Sequence, residues 1–240
     1  MNPNYLTINQ AAQLLNVSID TLRRWDKKGK LKAIRRKEDG YRYYSKETIE
    51  LYLKDIFAMA KKWVSDPPTE PESEYYCPDS LVFKTRLNRL ENGLSKIDEI
   101  KNTFSLLSAI AGEIGNNSYD HNLGNWPDVR GIFFAYDLNK KQIVLADRGL
   151  GLLKTLRKVK PELKNDAEAL QVAFTEIISS RMPEARGNGL KFVRQVISDN
   201  QYKLVFYTGN SQLSMTGKSA DLTIKNSDFD YHGCISLIIF

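Results

Sequence analysis

Three short stretches in the second half of the chain bring together residue types that can do chemistry. In SLLSAIAGEIGNNSYDHN, positions Ala109, Glu113, Asn117 and His121 recur every four residues, so Glu113, Asn117 and His121 share one helix face. The amide oxygen of Asn117 suits a hard, partly hydrated cation, as magnesium is beside phosphates. Glu113 could orient or deprotonate a water next to it. Further on, the apolar run QIVLA ends in Asp147, followed by Gly149 and Gly151. A carboxylate at a strand end can accept a hydrogen bond from an exocyclic amino group such as that of adenine, and glycines let the backbone approach a flat base. In ARGNGLKFVRQVI, Gly187 and Gly189 stand ahead of an amphipathic helix that starts near Leu190. Glycines there present free amides and the positive end of the helix dipole to phosphate. Each pattern alone also describes a polar surface face, a common turn or an ordinary helix entry.

A different chemistry sits near the N-terminus. On the segment Ile19 to Lys28, residues Thr21, Arg23, Arg24, Lys27 and Lys28 are polar, while Leu22 and Trp25 lie three apart and can face a core. Phosphate contacts need cations and hydroxyls, and base edges need donors such as arginine. Arg35, Arg36 and Lys37 precede an Asp39-Gly40 turn and Arg42 follows it. That places basic residues on both arms of a hairpin, as a wing lying along a DNA backbone requires.

The elements that must position these residues can be read from their punctuation. Thr7 is an N-cap for a helix from Ile8 to Asn16, and Ser18 caps a second from Ile19 to Lys28, with Gly29 as its stop. Two helices joined so tightly, the second one basic, have the geometry that sets a recognition helix in the major groove. Asp39-Gly40 predicts a hairpin, and Lys46 to Val64 reads as a third helix. Residues 65–80, SDPPTEPESEYYCPDS, hold four prolines and five acids and read as an extended linker. Beyond it, Phe83, Leu87, Leu90, Leu94 and Ile97 recur at steps of four and three, a heptad-like seam. The seam fits a helix packed on its own domain; it is also the candidate interface for a homodimer. After residue 128, apolar strands (GIFFAYDL, QIVLAD, LVFYTG, CISLIIF) alternate with helices. The expected architecture is α+β: a small winged helix-turn-helix domain at 1–64, a linker at 65–80, and an α/β sandwich with a leading helix at 81–240.

Composition bounds the rest. Net charge is +6, but residues 1–64 carry 14 lysines and arginines against 7 acids, so the excess sits in front of a nearly neutral body. That asymmetry points to nucleic-acid contact by the front unit alone. Cys77 and Cys234 stand far apart in unlike contexts, too few for a disulfide framework or a zinc cluster. There is no signal-like start and no apolar run near the roughly 20 residues that span a bilayer. A cytoplasmic protein with no membrane partner is expected.

The stretch TINQAAQLLNVSIDTLRRWDKKGKL, with Thr21, Arg23, Trp25, Asp26, Gly29 and Leu31 in order, resembles the DNA-binding domains of the MerR and excisionase families. GYRYYS resembles their wing at Gly40, Arg42 and Tyr44. The resemblance covers about residues 4–64. It implies a winged fold that binds double-stranded DNA through Thr21, Arg23, Arg24, Arg36 and Arg42, with Tyr44 supporting the wing or touching phosphate. The effector-sensing part usual in that family is missing.

EIGNNSYDH, DRGLG and GNGLKFV look like the three successive nucleotide boxes of the GHKL superfamily, which includes gyrase, heat-shock chaperones, histidine kinases and mismatch-repair proteins. The resemblance runs from about residue 100 to 240. It implies ATP and magnesium as cofactors, with Asn117 on the metal, Glu113 as candidate base, and Asp147, Gly149 and Gly151 receiving adenine. Gly187, Gly189 and Leu190 would face the phosphates across a lid formed by residues 152–186, where Arg181 and Arg186 could reach them. Histidine kinases carry a phosphoacceptor histidine ahead of this domain, and residues 81–110 contain none. Self-phosphorylation on histidine is therefore not expected. Together the two resemblances imply a transcriptional regulator whose DNA binding is coupled to ATP, with a protein partner left open. The alternative is an enzyme anchored to DNA: a serine/threonine protein kinase, or a slow ATPase, of the anti-sigma-factor type.

Overall fold

Hydroxyl side chains start each of the first three helices. The computed structural model describes residues 5–29, 31–35, 40–65, 67–176, 189–217 and 221–240. It divides into two compact units, Met1–Ile56 with Asp137–Gln142, and Phe57–Tyr136 with Ile143–Phe240.

In the first unit, strand β1 (Tyr5–Thr7) leads directly into α1 (Ile8–Leu14). Thr7 and Gln10 form a reciprocal capping box, with Gln10 N donating to Thr7 Oγ1 at 3.4 Å and Thr7 N donating to Gln10 Oε1 at 2.9 Å. Asn16 adopts a left-handed φ of 50°, which turns the chain sharply before Ser18 caps α2 (Ile19–Lys27) through Thr21 N at 3.1 Å. Gly29, at φ 71°, ends that helix. Strands β2 (Ile34–Arg35) and β3 (Arg42–Ser45) pair antiparallel, Arg35 opposite Arg42, and β1 pairs with the other edge of β3. Ser45 then caps α3 (Lys46–Leu53). Leu6, Ala11, Leu22, Leu31, Tyr44 and Ile49 close the core between them.

The long helix expected over Lys46–Val64 is two helices. Lys54 is extended, with ψ 130°, which ends α3 before α4 (Ile56–Ser65) begins. From Phe57 onward α4 belongs to the second unit, so the division falls earlier in the chain than the expected boundary at 64. Residues 67–80 are also part of that unit and are not an extended linker. Trp63 Nε1 donates to Thr69 O at 2.7 Å, Arg86 donates to the Ser73 and Glu74 carbonyls, and β4 (Tyr76–Cys77) pairs antiparallel with β5 (Ile132–Asp137).

Helix α5 (Ser80–Leu94) packs along α6 (Phe104–Asn122), with a short 3-10 turn at Asp98–Ile100 between them. The heptad-like seam is spent on this contact. Phe83, Leu90 and Leu94 are fully buried, and the Phe83 ring lies over Gly115, where an added Cβ would sit 2.2 Å from it. At these three residues the seam is an internal contact between α5 and α6.

The five-stranded sheet runs β4-β5-β6-β8-β7, with β6 Gln142–Asp147, β7 Lys203–Thr216 and β8 Thr223–Ile239. Its central strands are buried on both faces, which is why they read as unbroken apolar runs. On β5, Phe133 meets Trp63 and Tyr75 on one face, and Phe134 meets Phe83 edge-on at 5.1 Å on the other. Helices α7 (Gly151–Leu156), α8 (Asp166–Thr175) and α9 (Gly189–Asp199) complete the helical layer, with α9 packed on α6 and α8 on β7. A bulge at Gly209, φ 50°, bends the β7–β8 hairpin between its inner and outer halves. No helix among the described residues is long and apolar enough to cross a membrane.

Candidate functional site

The face of α6 singled out by spacing is half-buried at Glu113, Asn117 and His121 and looks onto the end of β6. Asp147 closes that strand at 3% exposure. Its carboxylate accepts from Ser118 Oγ at 2.7 Å, from Gly149 N at 2.9 Å and from the Cys234 backbone. Burial nevertheless pushes the Asp147 carboxyl above its ordinary range, against those three donors. Asn122 clamps the turn from the far end of α6: its Oδ1 accepts from Leu150 N at 2.8 Å, and its Nδ2 donates to Ser118 O at 2.8 Å.

The glycines are required by close approach. A Cβ on Gly149 would lie 2.1 Å from Asn122 Nδ2, so this position is glycine because α6 presses on the turn. Gly151 has φ 71° and abuts Thr208 Oγ1, which accepts from Leu152 N at 3.1 Å. A Cβ on Gly189 would lie 2.6 Å from Glu113 Oε2 and 3.3 Å from Asn117 Nδ2. The start of α9 thus sits directly on the Glu113–Asn117 pair. Asn117, Asp147, Gly151 and Leu190 line one cleft, with Gly149 behind it and Gly189 at its rim beside Glu113. Gly187, Arg181 and Arg186 lie outside the described residues. The cleft encloses about 50 Å3, room for a few waters at roughly 10–15 Å3 each.

Glu113 and Asn117 offer a carboxylate and an amide oxygen, the hard ligands magnesium takes while keeping several waters. Asp147 supplies a buried acceptor, and Gly189 leaves the space a side chain would fill. No cluster of three or more His, Cys, Asp or Glu occurs among the described residues, so an all-protein metal cage is not on offer there.

Several residues here escaped sequence reading. Ser118 and Asn122 fall off the four-residue spacing, and Thr208 comes from β7, far along the chain. Arg148 is the largest omission. It is 2% exposed, donates from Nε and Nη2 to Asp128 (2.7 Å at the shortest), and from Nη1 to the carbonyls of Trp63 at 2.6 Å and Val64 at 3.0 Å. The residue beside Asp147 therefore caps the C-terminal carbonyls of α4. Nothing local signals this, because Asp128 and α4 are distant in sequence.

In the first unit, Arg23 and Arg24 are exposed on α2, beside Thr21. Arg23 pairs with Asp20 at 3.0 Å, and Arg24 Nη2 donates to Thr21 Oγ1 at 3.2 Å. Arg42 is engaged within the fold. Its Nε donates to Asp26 Oδ2 at 2.7 Å, as Arg35 Nη2 does, while Asp26 Oδ1 accepts from Ala33 N at 3.0 Å. Burial alone would raise the Asp26 carboxyl, but the Ala33 amide and the two guanidiniums outweigh it, and the net is a lowered pKa. Asp26 is thus the hub that ties α2 to both arms of the wing. Tyr44 is 1% exposed, with its hydroxyl 3.5 Å from Leu22 O. That burial fits the support of the wing, the first of its two expected roles, and leaves no surface for a phosphate contact. Arg36 lies outside the described residues.

Residues 7–44 match the family described as MerR family regulatory protein. In that segment the chain is similar to the MerR family, and the helices α1 and α2 fall within it. The type II methyltransferase M.Eco47II of Escherichia coli is 39% identical over 57 residues, which is 24% of this chain and 14% of that protein. The similarity to that relative therefore spans a small part of either chain.

Proposed function

We propose that the chain is a DNA-binding regulator whose activity is coupled to ATP binding in a second, histidine-kinase-like (GHKL) domain. The DNA-binding half rests on the similarity of residues 7–44 to the MerR family and on the exposed Arg23 and Arg24 of α2 beside half-buried Thr21. The ATP half is supported by one observation above the others. Glu113, Asn117, Asp147, Gly151 and the Gly189–Leu190 helix start, widely scattered in sequence, converge on one cleft.

In this reading Asp147 accepts from the adenine amino group, and Gly149 and Gly151 keep the turn low enough for a base to lie on it. Asn117 holds the hydrated magnesium, which when bound screens the charge of the phosphates, and Glu113 beside it is the candidate base that orients a water. The α9 amides at Gly189 and Leu190 face those phosphates. A purine ring is larger than the present cleft, so entry requires the side chains of Leu152 and Leu190 to give way. Coupling follows from Arg148: the turn that receives the base is bonded through it to the end of α4, the helix that leaves the first unit.

The test is footprinting on a DNA fragment selected by the full chain, with and without ATP and magnesium. A footprint whose extent or affinity changes with ATP, and no longer changes in Asp147→Asn, supports the reading. A footprint indifferent to ATP contradicts the coupling, while loss of all footprints in Arg23→Ala/Arg24→Ala tests the DNA half separately.

A further inference from the structure

A larger groove lies elsewhere in the second unit, where α4 meets the β7–β8 hairpin. It holds about 460 Å3. Four aromatic rings run in a row beneath and beside it: Phe57 to Tyr207 at 6.0 Å, Tyr207 to Tyr231 at 5.4 Å, and Tyr231 to Phe229 at 6.1 Å. Tyr207 and Tyr231 are buried and form the floor, whereas Phe229 is 63% exposed. Lys61 stiffens the floor from above, its Nζ donating to Tyr207 Oη at 3.3 Å and lying 4.6 Å from the ring centroids of Phe57 and Tyr207. Lys62 from α4 and Lys225 from β8, both exposed residues, line the groove. Asn226 and Gln212 add side-chain amides, and Asp228 is the one acid among the described lining residues.

We infer that this groove binds single-stranded nucleic acid. These two lysines are point charges suited to phosphate. The exposed Phe229 ring is a platform on which an unpaired base can stack, and such stacking tolerates any base. The Asn226 and Gln212 amides can each donate to and accept from a base edge. A duplex keeps its bases inside, so it cannot use the Phe229 ring; a chain of aspartates and glutamates would use the lysines but has no aromatic ring to stack on it. The groove shares no lining residue with the cleft at Asp147, and α2 belongs to the other unit, so the inference stands whether or not ATP binds.

The experiment is fluorescence anisotropy of a labelled oligothymidylate with the full chain over a range of salt. Binding is expected, with affinity falling about tenfold in Phe229→Ala and recovering in Phe229→Trp. Lys62→Gln/Lys225→Gln is expected to weaken binding and to reduce the slope of log affinity against log salt by about 1.4, roughly 0.7 for each phosphate contact. Arg23→Ala/Arg24→Ala should leave oligothymidylate binding unchanged. The inference is overturned if the chain does not bind the oligonucleotide at low salt, or if only Arg23→Ala/Arg24→Ala abolishes binding. Displacement of the oligonucleotide by polyglutamate as readily as by unlabelled strand would also overturn it, since that reports a site for acidic chains. All the substituted positions in the groove are exposed, so loss of folding would not mimic these results.

Discussion

Arg148 carries a full positive charge to 2% exposure, while the Asp128 side chain it pairs with keeps 23% of its surface in water. The two partners are therefore not equivalent. When Arg148 is replaced by methionine, Asp128 can rehydrate, and the cost is the lost charged hydrogen bonds, about 2 kcal/mol. When Asp128 is replaced by alanine, the guanidinium stays buried with carbonyls alone, and about 3–5 kcal/mol is expected. Urea unfolding of both variants checks the order; equal losses would mean that the pair is solvated in solution. Asp26 gives a second residue-scale prediction, with its sign fixed by a lowered pKa. Its contribution to stability is present above the ordinary carboxyl value of 3.8 and is lost as pH falls through the lower folded value. The stability difference between wild type and Asp26→Asn should accordingly shrink in that acid window and be flat above it. Unfolding free energies measured across the window test this, and a difference that grows on acidification would contradict the pairing with Arg35 and Arg42.

At the scale of elements, α5 and α6 meet through a glycine. Gly115→Ala puts a methyl 2.2 Å from the Phe83 ring, an overpacking that typically costs about 1–3 kcal/mol. Phe83→Leu in the same chain should recover part of that loss, and a double-mutant cycle reads the coupling; additive losses would place the helices differently. Local chemistry made the capped helices of the first unit readable from sequence, since Thr7, Ser18 and Gly29 act on their own neighbours. Strand β1 was not readable, because three residues become a strand only by pairing with β3. The proline-rich stretch misled for a related reason. Its composition disfavours helix, as expected, yet its carbonyls bond to Arg86 and Trp63 and its Tyr75 stacks on Phe133. In the cleft, the side chains spaced four apart on α6 and the Asp147 strand end were visible in sequence. The long-range members, Ser118 to Asp147 and Thr208 to Leu152, were not, because strand order brings them together.

At the scale of the whole molecule, two kinds of recognition would be carried by separate compact units, and their signatures differ. Each phosphate contact made by α2 steepens the salt dependence of duplex binding by about 0.9. Arg23→Ala/Arg24→Ala should therefore lower that slope by up to about 1.8, read by anisotropy with duplex DNA over a salt series; an unchanged slope would remove this face from the DNA interface. ATP binding should be indifferent to the same pair of substitutions. The measurement closest to the central claim is calorimetric titration of ATP with magnesium into the full chain, beside Asn117→Ala and Asp147→Asn. Saturable binding by the wild type that disappears in both variants is the predicted result. No heat of binding to the wild type, or binding that survives both substitutions, would contradict a nucleotide site at this cleft.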